Sequence, residues 1–228
     1  MHTTGTGLVE IQAVAEIPGL NVTAGGNIGC ATAVYGQIAV VGACNAVNPD
    51  GAVGAGLVHA FHLSSRIPAG LVVPPRPKPG ARFGTALTFG EYRGRGILLV
   101  GAPGESSGFY SSVGFVYVFS FSLGQDISTG GFDHSYVLRL YAEDGNTNNN
   151  FGSSVAIYGD RCVVGARGPP FYAAGIQTID GGGAAYVFDV GTGEQLAKLQ
   201  PRDRTGVAPQ LGCFWFGASV AFYENIIL

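Results

Sequence analysis

Charge is scarce in this sequence. Asp, Glu, Lys and Arg together make up 12% of it, about half of the usual share of roughly 25%. Only 12 residues are Lys or Arg, and they form no basic stripe, so the electrostatic footprint of a nucleic-acid binder is missing. No Lys/Arg-rich amphipathic helix suggests a membrane surface. The longest apolar run falls far short of the ~18 residues of a membrane span, so no membrane insertion is expected within this segment. The opening "MHTTGTGLVEIQ" has neither a positive start nor an apolar stretch, so no signal peptide is visible there. Cys30, Cys44, Cys162 and Cys213 show no CxxC or metal-ligand spacing.

Glycine is plentiful instead, at 38 of 228 residues, more than twice the average of about 7%. Low charge with high glycine fits either disorder or tight turns. The aliphatic runs decide, because 46% of the residues are apolar and their burial can offset the entropy of ordering. The expectation is many short buried strands joined by compact turns.

A phrase recurs along the chain. "FGSSVAIYGDRCVVGA" starts at Phe151, "FGTALTFGEYRGRGILLVGA" at Phe83 and "IGCATAVYGQIAVVGA" at Ile28. A fourth copy, "FGASVAFYENIIL", starts at Phe216. The starts are 55, 68 and 65 residues apart, a spacing that marks a repeat architecture. A third shared segment follows each complete phrase: "GLVHAFHL" from Gly56, "GFVYVFSF" from Gly114 and "GAAYVFDV" from Gly183. A fourth lies near Gly70, Tyr136 and Glu194. Each unit thus holds four short segments rich in Val, Ile, Tyr and Phe, a strand pattern. Gly159-Asp160 and Glu224-Asn225 read as two-residue hairpin connections, and "TFGEYRGRG" as a longer version of the same connection.

Runs such as "ILLVGA" and "IAVVGA" do not alternate. An unbroken apolar run marks a strand buried on both faces. Four-stranded sheets stacked radially, each covered by the next, provide that burial, which is the β-propeller arrangement. Small residues at Gly152, Ser153, Ser154 and Ala156 suit an innermost strand, where sheets converge. Arg139 and Pro74 suit an outer edge, which proline and charge protect from stray pairing.

The phased Phe-Gly pairs at Phe83-Gly84, Phe151-Gly152 and Phe216-Gly217, with "GAP" at Gly101-Ala102-Pro103, resemble the FG-GAP repeats of integrin α-subunit heads and related extracellular proteins. "GAC" at Gly42 and "GAR" at Gly165 depart from the motif, and Ile28-Gly29 replaces Phe-Gly in the first copy. The resemblance covers nearly the whole chain. The fold class expected is all-β: β-propeller blades of four antiparallel strands, about three and a half of them, at 28–77, 83–142, 151–201 and in part 216–228, with 9–17 as the outer strand of a preceding blade. An arc of that size has two unpaired flanks, so a longer protein is expected around it. The resemblance implies a non-catalytic interaction module, extracellular or at the cell surface, with a protein or glycan ligand and a part in adhesion. A scaffold for a hydrolase outside this segment, or a lectin, are the alternatives. The "NVT" sequon at Asn21 would accept a glycan in a secreted chain.

The family's D-x-D-x-D-G calcium loop, which the resemblance places between the first two strands, is missing from all four copies: "YGQ", "GEYRGRG", "YGD" and "YEN" carry at most one acid each. Calcium needs six to eight oxygens, several of them carboxylate. "DGNTNNN" offers Asp144, Asn146 and Asn148 with a single carboxylate, and is read as a polar turn. No cofactor or metal is expected. "GESSG" at Gly104 matches a G-x-S-x-G elbow, which needs a helix after the serine and a downstream acid and histidine; "FYSSVGFVYVFSF" follows instead, and nothing places Asp126 and His134. His59 and His62 sit three apart on a strand, hence on opposite faces. Cys162 is read as a buried thiol. Cys30 and Cys44 come near each other if their segments form a hairpin, with free thiols favoured over a disulfide. Trp215 is read as core or rim packing. Loops on a rigid scaffold carry function, so Phe109, Tyr110, Phe171 and Tyr172 are the candidate partner contacts, unless they fold back over the blades.

Overall fold

In the computed structural model the residues described are 25–124, 131–168, 172–173, 176–177, 182–200, 215–224 and 226–227. The proposed outer strand at 9–17, Cys213, Asp126 and Phe171 lie outside them. Everything regular among the described residues is strand or turn. The first sheet holds β1 (Ile28–Tyr35), β2 (Ile38–Ala43), β3 (Leu57–His62) and β4 (Pro68–Val72). The second holds β5 (Ala86–Tyr92), β6 (Arg95–Ala102), β7 (Phe115–Phe121) and β8 (His134–Leu140). The third holds β9 (Phe151–Tyr158), β10 (Arg161–Ala166), β13 (Ala184–Asp189) and β14 (Gln195–Leu199), with the small hairpin β11 (Tyr172–Ala173) and β12 (Ile176–Gln177) in its loop. A last pair, β15 (Phe222–Tyr223) and β16 (Ile226–Ile227), begins the fourth copy. Each full sheet is an antiparallel meander in chain order.

The connection at "TFGEYRGRG" is not longer than the others. The strands around it run further, and Arg93-Gly94 alone makes the turn between Tyr92 and Arg95. Arg93 and Gly94 both have positive φ, 50° and 74°, the signature of the hairpin turn that follows the sheet's twist.

The first strands of successive copies touch, β1 to β5, β5 to β9 and β9 to β15, so the small-residue segments line the inside of the arc. The sheets then stack face to face. Along β6, Leu98, Val100 and Ala102 join Val40, Val58 and Ala60 of the first sheet in one core, while Ile97 and Leu99 join Cys162, Val164 and Tyr186 of the third sheet in another. Beyond, Val163, Ala185 and Val187 pack with Val220, Phe222 and Ile227. Adjacent residues of one strand therefore feed different cores, because side chains alternate faces. That is why the runs do not alternate in polarity: both faces are covered.

The Phe-Gly pair forms the joint between sheets. Phe151, with no solvent exposure, turns its ring into its own sheet, edge-on to Tyr186 and Phe188 at 5.6 Å each. Its N–H meanwhile donates to the Val113 carbonyl of the preceding sheet, at 3.1 Å. Gly152 follows with φ +88°, a conformation open to glycine at little cost, and aims its carbonyl at Gly101. A Cβ on Gly101 would stand 2.0 Å from that oxygen. The same approach recurs between Gly42 and Gly84 and between Gly165 and Gly217. The glycines of "FG" and "VGA" are thus two halves of one inter-sheet contact, which explains their recurrence together.

The structure also joins Cys30 to Cys44 in a disulfide, with Cα atoms 6.1 Å apart, where the sequence favoured free thiols. The reason is local. The β1–β2 register breaks between Ile28 and Thr32, and this bulge swings Cys30 toward the residue just past β2. Cys162 is buried and free.

Candidate functional site

In the first two sheets the loops after the second strand and after the fourth strand gather at one end and are laced together. Arg82 N–H donates to the Gly54 carbonyl and Gly80 N–H to Val53, at 3.1 and 3.0 Å. One sheet further on, Asn148 N–H donates to Ser111 and Asn150 N–H to Ser112, at 2.8 and 2.9 Å. The loop end is therefore backed by backbone hydrogen bonds.

From it projects a tight turn. Ser107 and Tyr110 exchange backbone hydrogen bonds of 3.0 Å in both directions, with Gly108 at φ +58°, so Gly108 and Phe109 form the tip. Phe109 is 103% exposed and Tyr110 51%. They do not fold back over the sheets. Tyr172 belongs to the separate β11–β12 hairpin, paired with Gln177, and Phe171 lies outside the described residues. Trp215, expected to pack, is 63% exposed, at φ +67°.

Under the Phe109 turn lies a charge cluster that sequence reasoning missed. Glu105 is buried, with a relative exposure of 1%. Its Oε2 accepts from the Tyr117 hydroxyl at 2.7 Å, and its Oε1 faces Arg139 Nη1 at 3.0 Å and Lys78 Nζ at 3.2 Å. Lys78 also donates to the Ser106 carbonyl at 3.2 Å. Burial, and then the Glu105 charge, push the Tyr117 hydroxyl well above its ordinary pKa. The carboxylate can stay buried because both of its oxygens find donors, two of them on cations. The third sheet repeats the device with other residues. Asp144 pairs with Lys198 and accepts from the Tyr186 hydroxyl at 2.9 Å. Burial raises the Asp144 pKa, but the hydrogen bonds from Lys198 and Tyr186 outweigh it and hold the carboxyl below its ordinary value. The signal was in the register: Tyr117 lies opposite Arg139 and Tyr186 opposite Lys198.

The remaining motifs resolve plainly. Asp144 lies in a turn, and its carboxylate is engaged by Lys198. Ser106 accepts the Ser112 N–H at 3.1 Å and is followed by the turn and by β7, not by a helix, so it is a loop serine. His134 lies in β8, stacked on Phe132 with centroids 5.2 Å apart. His62 Nδ1 sits 2.7 Å from Ser65 Oγ, and burial lowers the pKa of His59. Burial and then Asp189 push the Cys162 thiol up to about 12, which keeps it protonated and inert.

Four-stranded antiparallel sheets, stacked face to face with their first strands along the inside of the arc, define a β-propeller-type repeat protein. The family model of the FG-GAP repeat matches residues 135–188, from β8 through β13, a stretch that spans one whole inter-sheet joint. Among solved structures, one similar chain is a europium-containing methanol dehydrogenase, at 12% identity and a TM-score of 0.42 over 74% of this chain. The present chain spans 24% of that chain's length. A comparison with curated proteins finds no match.

Proposed function

We propose that this chain is a non-catalytic propeller module, extracellular or at the cell surface, that grips a protein partner with its loop end. Phe109 carries the reading. A large aromatic ring at full exposure, on a turn held by two backbone hydrogen bonds, is costly in water and useful in a pocket. Aromatic anchors of this kind dominate binding energy at protein interfaces. Loops rooted on a rigid scaffold are where such anchors belong. The Cys30–Cys44 disulfide supports an oxidising compartment. Tyr110 adds a second contact, and Phe171 and Tyr172 are further candidates by residue type.

The test is a panel of purified ectodomains of secreted and cell-surface proteins, probed with the wild-type chain and with Phe109→Ser/Tyr110→Ser. Binding of a panel member that falls about thirtyfold or more in the double variant, as expected for loss of a hot spot of roughly 2 kcal/mol, supports the reading. Equal binding by both chains, or none by the wild type, overturns it.

A further inference from the structure

A second surface, beside the charge cluster beneath the Phe109 turn, carries chemistry of its own. The connection after β4 passes beside β7 and β8 of the next sheet, and a cleft of about 340 Å³ opens there, lined by Pro75, Arg76, Tyr117, Tyr136 and Arg139. None of the five is acidic. Its floor is fixed. Tyr117 is buried, and the Arg139 guanidinium lies 3.9 Å above the Phe115 ring while its Nη1 holds Glu105. Its walls are open: Tyr136 is 45% exposed, and Arg76 is exposed with no hydrogen bond or ion pair to another described residue.

The charges do not balance. Glu105 is one carboxylate shared by Lys78 and Arg139, and Arg76 adds a third cation, so two positive charges are left over in a chain whose formal charge is −3. A guanidinium fork matches a planar anion with two oxygens. Because Arg139 is already immobilised by its stack and its ion pair, a further contact costs it little rotamer freedom. Tyr136 and Pro75 place flat apolar faces beside the cations, the mix of apolar wall and few polar groups that small-ligand sites use. The volume lies at the low end of the ~300–1,000 Å³ of such sites, which suits a short piece of a ligand rather than a protein surface.

We infer that this cleft binds an acidic saccharide, with the carboxylate of a uronic acid residue on Arg76 and Arg139 and the sugar ring laid against Tyr136. The site is independent of the loop-tip reading, since neither Phe109 nor Tyr110 lines it.

The experiment is calorimetric titration of the full chain with short oligomers of galacturonate, glucuronate and alginate. Methyl-esterified oligogalacturonate serves as the neutral counterpart, and acetylated Glu-Glu as an acidic peptide. One of the uronate oligomers is expected to bind, with the ester at least about tenfold weaker, the loss expected when a charged hydrogen bond goes. Arg76→Gln should weaken the acidic sugar by about the same factor with unchanged thermal unfolding, because its side chain is exposed. Tyr136→Ala should weaken it as well, with some loss of stability because the ring also packs on Tyr117 and Phe119. Phe109→Ser/Tyr110→Ser should leave it untouched. No binding by any uronate, equal binding of the ester, tighter binding of the peptide, or indifference to Arg76→Gln overturns the inference.

Discussion

At the scale of single residues, acids in this charge-poor chain serve as connectors. Asp144 shows the consequence for pH. Its carboxyl titrates below the ordinary value of 3.8, so the unfolded chain takes up this proton first as the pH falls. The stability it lends is therefore complete above about pH 4 and drains away as the pH drops through the lowered native value. Half of the Asp144 side chain is exposed, and solvent screening limits the pair to about 0.5–1 kcal/mol. Asp144→Asn should accordingly be less stable than wild type by that amount at pH 7 in urea unfolding. The gap should close once the pH falls below the lowered native value. A gap that stays constant down to pH 2 would show that the Lys198 contact does not depend on the carboxylate charge.

At the scale of elements, β1 and β9 both break register where they meet the end of the second strand, and β1 differs in that a disulfide closes its break. The crosslink joins residues 14 apart, a loop for which chain entropy gives roughly 3 kcal/mol. Reduction, or Cys30→Ser/Cys44→Ser, should lower the unfolding free energy by about 2–3 kcal/mol and loosen β1 first. Denaturant unfolding with and without reductant reads the first effect, and hydrogen exchange at Thr32–Tyr35 reads the second. A reduced protein as stable as the oxidised one would mean that the bulge holds without its clasp. This element also marks where the sequence stops being readable. The four strands per unit could be read from "ILLVGA" and "VYVF", because burial on both faces writes itself as an unbroken apolar run. The bulge could not, since it depends on how Gly29 to Ala31 are accommodated opposite Gly42. The same holds for the Glu105 cluster. Tyr117 and Arg139 are 22 positions apart and become neighbours only through the β7–β8 register. Phe109 stood out by type, but its exposure comes from the Ser107–Tyr110 pairing. Trp215 was misread for a like reason: a lone aromatic in an aromatic-rich stretch carries no periodicity to show which way it faces.

At the scale of the whole molecule, the two main cores are separate, one between the first and second sheets and one between the second and third. Each sheet packs only on its neighbours, so stability should behave as a sum of sheet and joint contributions. Gly101→Ala isolates one joint. The new methyl would lie 2.0 Å from the Gly152 carbonyl oxygen, backbone against backbone, and overpacking of that kind costs about 3 kcal/mol. Gly124→Ala is the matched control, at φ +70° with nothing within 4 Å of the added carbon, and should cost only about 1 kcal/mol. The distribution of the damage matters more than its size. If the joints act in series, hydrogen exchange in Gly101→Ala should accelerate across β9, β10 and β13 while the amides of β2 and β3, which feed the other core, keep their wild-type protection. Uniform loss of protection from β2 through β13 would instead mean that the sheets unfold as one cooperative unit. The recurring glycine pairs would then set the stability of the whole arc rather than of the two sheets they join.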